Sequence, residues 1–329
     1  MNHVKSVQEA PAPVSEQSPG LAEVSPRDKK WDAHRGATQL VGDIYGKGDY
    51  HRLAARMAKC STLLAFNQSI NPDTGEVGIK LKNAMFCHVR HCEVCQWRKS
   101  MRNIARFFQR IPQVMAAHPK GQWIFLTLTV QNPVMADLRA TLVAMNAAWK
   151  RLIERKDWPA LGFIRTTEVT RDKHGNPHPH FHCLLLVRPS YFSTGYISQL
   201  NWAMNWQAVL RVDYLPVIDV RKVKAKKGQT GISAAVVETL KYAVKLEDMK
   251  DPAFLFGITE QLHKMRFLAT GGVLKDFLSN DVSSEEMVNT TELAETVETV
   301  LEDKPTLLFG WKPKVRRYQK VDQKLSTSS

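Results

Sequence analysis

Residues 178–187 read His178-Pro179-His180-Phe181-His182-Cys183-Leu184-Leu185-Leu186-Val187, three histidines at alternate positions running into an unbroken apolar stretch. Side chains two apart on a strand point to the same face, so a strand here sets His180 and His182 side by side where two imidazoles can converge on one ion. Cys183 has the opposite parity and belongs to the core. Upstream, residues 162–170 (GFIRTTEVT) have the β-branched content of a second strand, and the intervening RDKHGNPHP carries the Gly-Asn-Pro of a hairpin turn. Pairing about a turn near Gly175 brings Glu168 across from the histidines. A divalent ion that activates phosphates favours a carboxylate beside the imidazoles, which makes Glu168 the preferred third ligand. His178 is its rival, because strand register cannot be read from the sequence.

Outward from this hairpin the pattern is one of strands mixed with helices. Residues 122–130 (QWIFLTLTV) and 217–223 (VIDVRKV) read as further strands, and helices are expected at 135–156, 195–210, 232–247, 258–268 and 272–279. The fold class is α+β, a mostly antiparallel sheet flanked by helices. Nearer the N-terminus, Leu53, Met57, Leu63, Leu64 and Phe66 lie at helical spacing over residues 50–66, and a second helix is expected over 96–108. Residues 1–30, rich in Pro, Ser, Glu and Lys without apolar period, read as a disordered tail. At the other end residues 281–303 hold eight acids and no base.

The chain has 329 residues, of which 43% are hydrophobic, enough for a sizeable core. Lys and Arg number 46 against 32 acids, a formal charge of +14; outside the acidic segment the charge is +22. An excess that large implies a polyanionic partner, nucleic acid foremost. No run of eighteen apolar residues exists to span a bilayer. The opening MNHVKSVQEAPAPVSEQ lacks the apolar stretch of a secretory signal, so the expected location is the cytoplasm, without membrane association. Neither GxGxxG nor GxxxxGK occurs, which excludes a dinucleotide fold and a P-loop ATPase.

Four of the five cysteines lie between residues 60 and 95. Cys92-Glu-Val-Cys95 is a CxxC, Cys87 precedes it and Cys60 lies upstream, together supplying four thiolates for tetrahedral Zn²⁺. His88 and His91 are substitutes for Cys60. The helix that follows carries Arg98, Lys99 and Arg102, a basic face next to the cluster that is placed to meet phosphates. The run of residues 221–227, including Arg221, Lys222 and Lys224, is a second basic segment. Farther on, Glu238, Tyr242 and Lys245 fall at i, i+4 and i+7 of the expected helix, hence on one face. A phenol is a poor nucleophile unless a metal, a base or a cation assists it; Glu238 is a candidate base and Lys245 a candidate to neutralise the phosphate or position the phenol.

Three motifs in this order, Phe125-Leu-Thr-Leu-Thr129, HPHFHCLLL from His178 and Lys241-Tyr-Ala-Val-Lys245, resemble those of rolling-circle plasmid replication initiators of the Rep_1 type, within the HUH endonuclease superfamily. The likeness runs from about Arg56 to Phe277. It implies an HUH-endonuclease-like sheet with an N-terminal zinc-binding element. The division becomes a tail (1–30), a zinc-binding and DNA-contacting element (31–115), an HUH nickase domain (116–280) and an acidic, then basic tail (281–329). It also implies that His180 and His182 hold Mg²⁺ or Mn²⁺ at the scissile phosphate. Tyr242 matches the family tyrosine, which attacks one strand of the plasmid origin, single-stranded or in a hairpin, leaving a 5′-phosphotyrosyl link and a free 3′-OH and rejoining the strand at termination. Host helicase and polymerase are the implied partners. Unlike two-tyrosine members of the superfamily, this chain has no second tyrosine within a helical turn of Tyr242, and Glu238 offers a base for water instead.

Two other readings compete. A mobilisation relaxase shares the chemistry but usually places its tyrosine near the N-terminus. A non-catalytic zinc-dependent DNA-binding repressor accounts for the charge and the cysteines, and leaves the histidines unexplained.

Overall fold

The computed structural model describes residues 18–70, 75, 77–223, 232–241, 244–278 and 306–321. Its elements, in chain order, are α1 (Leu21–Val24), α2 (Lys30–Gly46), α3 (His51–Lys59), β1 (Leu63–Ile70), β2 (Val77–Ala84), α4 (Glu93–Ala117), β3 (Gln122–Thr129), α5 (Leu138–Ile153), β4 (Ala160–Arg171), β5 (Pro177–Val187), α6 (Gln199–Leu210), β6 (Ile218–Lys222), α7 (Ile232–Leu240), α8 (Leu246–Met249), α9 (Pro252–Gln261), β7 (Leu268–Gly272), β8 (Leu307–Lys312) and β9 (Arg317–Val321). They form two antiparallel sheets flanked by helices, of strand order β2-β1-β8-β9 and β6-β3-β5-β4-β7. The expected α+β class is the one observed.

β5 is the middle strand of the five-stranded sheet, which is why its sequence is apolar without alternation. On one face Leu184 and Leu186, with Ile164 of β4 and Trp123 of β3, pack beneath Ile104, Phe107 and Ile111 of α4 and Val236 and Leu240 of α7. On the other, Phe181, Cys183, Leu185 and Val187 meet α5 and α6 through Trp149, Trp202 and Trp206. Burying a side chain of this size stabilises by about 1.5–3 kcal/mol, so both faces hold the strand in register. The hairpin turn follows from its residues: the Asp172 carboxylate accepts from the amides of His174 and Asn176, both at 2.8 Å, and Gly175 adopts φ +88°.

α4 joins the two sheets. Val94, Cys95 and Trp97 at its start lie in the core of the cysteine element, whereas Ile104, Phe107 and Ile111 cover the five-stranded sheet. Among the described residues no helix is long and apolar enough to cross a membrane.

Several expectations need correction. Residues 18–30 are not a loose tail: Leu21 is fully buried, Gly20 bridges to Gln319, and a 3₁₀ turn (Pro26–Lys29) leads into α2. The expected helix over 50–66 stops at Lys59, because Cys60 turns extended towards the other cysteines and Leu64 and Phe66 then alternate into the core as part of β1. The segment after residue 305 is no tail either. Residues 307–321 form a hairpin whose Phe309, Trp311 and Tyr318 are buried, and β8 pairs with β1. The apolar alternation of Leu307–Lys312 was readable; its partner, some 240 positions away in sequence, was not. In place of a helix over 258–268, α9 starts at Pro252, capped by Asp251, whose carboxylate accepts from the Phe254 amide. Of the helix expected over 272–279, the described residues 272–278 are not helical: β7 pairs with β4 and ends at Gly272, whose φ is +59°. The acidic segment 281–303 and residues 1–17 lie outside the described residues.

Candidate metal centres and nucleic-acid interface

Register places Glu168, and not His178, with the two histidines. β4 pairs β5 with Glu168 opposite His180 and Thr166 opposite His182, so the carboxylate and both imidazoles share one face. Glu168 Oε2 lies 3.1 Å from His180 Nε2 and 2.7 Å from His182 Nε2, and the two Nε2 atoms are 3.1 Å apart. Ligands at right angles about an ion at roughly 2.1 Å stand about 3.0 Å apart, so these three atoms have the spacing of one face of an octahedron. All three residues are buried, and the group can hold a metal ion. His178, the rival ligand, is not part of it: its Nδ1 pairs with Asn132 Oδ1 at 2.6 Å.

The surroundings orient the ligands. His180 Nδ1 faces its partner, the His178 carbonyl, at 3.1 Å, which makes Nδ1 the donor and leaves the Nε2 lone pair for a metal. His182 is flanked by Thr127 Oγ1 at 3.4 Å and stacks on Phe125. Burial pushes the Glu168 carboxyl up, but hydrogen bonds with His180 and His182 and the charges of His180 and Lys241 outweigh it and hold the group well below the usual carboxylate range. A carboxyl held below its unfolded value of 4.5 stabilises the fold fully above that pH, and the contribution is lost as pH falls further. Metal-free protein is therefore expected to lose stability on acidification below about pH 4.5, with a shallower loss in Glu168→Gln; denaturant titrations from pH 7 down to 3 check this, and equal slopes would contradict it.

Of the helical face expected for Glu238, Tyr242 and Lys245, Glu238 and Lys245 do not lie on one helix. α7 ends at Leu240, Lys241 is a bend and Lys245 is extended at the start of α8, exposed and without contact to the metal group among the described residues. Tyr242 lies outside the described residues. Glu238 does reach the site, with Oε1 4.0 Å from His182 Nε2. The cation there is Lys241, which the sequence reading passed over: its Nζ lies 3.3 Å from Glu168 Oε2 and 2.5 Å from Glu238 Oε1. The available signal was its place three residues after Glu238 and immediately before the tyrosine.

The four cysteines converge as expected. Cys60 Sγ lies 3.6 Å from Cys92 and 3.7 Å from Cys95, and Cys87 lies 3.7 Å from Cys95. Tetrahedral Zn²⁺ with Zn–S near 2.3 Å separates its sulfurs by about 3.8 Å, so the buried cluster has the dimensions of a zinc site. Ser61 and His88, each following a cysteine, take left-handed φ of 47° and 51°, the backbone needed to aim neighbouring thiols inward. Cys92 caps α4 and Cys95 lies in its first turn, where the helix dipole favours thiolate. Hydrogen bonds with the neighbouring cysteines, and burial after them, push the Cys60 and Cys95 thiols up, while at Cys92 burial is outweighed by hydrogen bonds with the other three cysteines and Thr38, which hold it down; a cation at the centre would let all four ionise. His91 is no substitute ligand, its Nδ1 lying 2.8 Å from the Tyr45 hydroxyl.

The basic face expected on α4 is largely internal. Arg98 and Arg102 are buried, Arg98 lying over the rings of Trp31 and Trp97; only the Lys99 side of the helix opens to a cavity. Arg221 and Lys222 are exposed on the edge strand β6, Arg221 pairing with Asp219 at 2.7 Å and Lys222 resting over Phe192. Lys224 lies outside the described residues.

Comparison with known proteins bears on the whole arrangement. The replication protein family profile, Rep_1, matches residues 78–319. A "Protein rep" from Streptococcus pneumoniae serotype 2 is 32% identical over 280 residues, covering 81% of this chain and 85% of its own. Another from Lactiplantibacillus plantarum is 37% identical over 64% of this chain and 71% of its own, and one from Bacillus amyloliquefaciens is 28% identical over 89% and 94%. No solved structure matches.

Proposed function

Because the chain belongs to the Rep_1 replication protein family, we propose that it starts plasmid rolling-circle replication by nicking one strand of the origin, with Tyr242 as nucleophile. The observation that carries the reading is the three-atom ligand face of Glu168, His180 and His182, whose Lys241 contact ties it to the residue immediately before the tyrosine. A Mg²⁺ or Mn²⁺ ion held there supplies Lewis-acid polarisation of the scissile phosphate. The chain's own groups do the rest. The Tyr242 oxygen bonds to phosphorus and the phosphorus–O3′ bond breaks; the phenolic proton leaves to a base and the departing oxygen takes up a proton as a free 3′-OH. The phosphotyrosyl ester conserves the bond energy, so rejoining needs no nucleotide triphosphate.

Lys241, between Glu168 and Glu238, offsets the charge that two carboxylates bring close to a phosphate. Arg221 and Lys222, on the exposed edge, contact backbone phosphates, and the four-cysteine cluster holds Zn²⁺ that fixes the start of α4. Host helicase and polymerase act on the nicked product in the cytoplasm.

The test is incubation of wild type and Tyr242→Phe with labelled single-stranded origin DNA, with and without Mn²⁺, followed by a denaturing gel. A metal-dependent covalent adduct absent from the mutant is expected; an adduct that survives the substitution rules out this nucleophile. Glu238, half-exposed and 4.0 Å from His182, is in place to activate water at the end of a round. Glu238→Ala is expected to nick normally yet accumulate uncleared adduct, and normal termination would remove it from that role.

A further inference from the structure

Beside the metal group lies a cavity of about 460 Å³, between the start of α4, the end of α7 and the segment leading into β7. Its size falls in the range of about 300–1,000 Å³ usual for small-molecule pockets. Its lining includes the apolar Val89, Val244, Met249, Met265 and Leu268. It also includes the cations Arg90, Lys99, Lys241 and Arg266, against a single acid, Glu93. Lys99 has no carboxylate partner among the described residues, and burial together with the charges of Arg102 and Arg90 makes its ammonium costly to keep. Lys241 lines the cavity and also contacts Glu168, so the cavity adjoins the ligand face directly.

A lining that combines apolar side chains with cations matches a molecule that is flat and apolar at one end and anionic at the other. We propose that this cavity binds one nucleoside-phosphate unit, its phosphate against Lys99 and Arg266 and its base against the apolar residues of the lining. In the nicking reaction, on which this placement rests, the unit is a nucleotide of the origin strand next to the cleaved bond, turned out of its stack so that the adjoining phosphate reaches the ligand face. A free nucleoside monophosphate carries the same chemistry and is the other source.

The full chain, without added divalent metal, is titrated with a fluorescent oligonucleotide spanning the nick site, and the complex is challenged with each of the four deoxynucleoside monophosphates. Loss of one charge-assisted contact is expected to weaken oligonucleotide binding about tenfold in Lys99→Met, with a smaller loss in Arg266→Gln. Because Arg266 is exposed, its substitution leaves folding intact and decides the matter if Lys99→Met does not fold. A single abasic position near the nick is expected to weaken wild type and to have little further effect in Lys99→Met. Competition by a mononucleotide, lost in both variants while oligonucleotide binding is unchanged, assigns the cavity to a free nucleotide instead of the strand. Wild-type binding of every probe by both variants overturns the proposal, even if the Tyr242 adduct forms. Weakened binding in the variants with no adduct in wild type overturns the nicking reading and leaves the pocket standing.

Discussion

Cys95→Ser is expected to purify without its metal and to melt roughly 10 °C below wild type. Cys95 Sγ is within 3.7 Å of both Cys60 and Cys87, so it sits at the centre of the cluster, and a serine hydroxyl in its place does not ionise. Three elements then lose their common tie: the end of α3, the loop after β2 and the start of α4. A ligand present at a thousand times its dissociation constant stabilises by about 4 kcal/mol, which for a chain of this size corresponds to that shift of roughly 10 °C. Cys183→Ser is the control, since Cys183 is fully buried on the other face of β5 opposite Arg165, away from the cluster; it is expected to lose stability and keep the metal. Metal analysis alongside thermal melts separates the two, and a Cys95→Ser protein with full metal content and an unchanged melting temperature would show that the thiols are ordinary core residues.

The second large effect concerns the ligand face. His182→Ala and Glu168→Ala are each expected to lower metal-dependent nicking about 10²–10³-fold, the loss of several kcal/mol of charge stabilisation at the phosphate. His178→Ala is expected to fall far less, because His178 bonds to Asn132 and lies outside the group. Raising Mn²⁺ should recover part of the His182→Ala activity if that residue acts through metal affinity. Equal rates for the His178 and His182 variants would mean that the ligand set is misassigned.

Much of this site was legible in the sequence because its parts are local. Alternation on one strand placed His180 and His182 together, and a hairpin of short span brought Glu168 opposite them, so the pairing partner was never far away. The cysteines were legible for a similar reason, as thiols are scarce and their chemistry restricts what a cluster can be. The α4 arginines were misjudged because charge alone does not fix exposure: Arg98 is covered by two tryptophans, one of them on α2, distant in sequence. The end of α7 at Leu240 was likewise hidden, in a segment of continuous helical propensity.

Residue chemistry and strand period were enough to specify the sheet hairpin, its paired histidines, the thiol cluster and the cationic character of the chain. Contacts between segments remote in sequence decided the rest: Lys241 in place of Lys245, the joining of β8 to β1, and the cavity beside Lys99. Each of these depends on which surfaces exclude water together, and that is a property of the packed chain that no single stretch of residues carries.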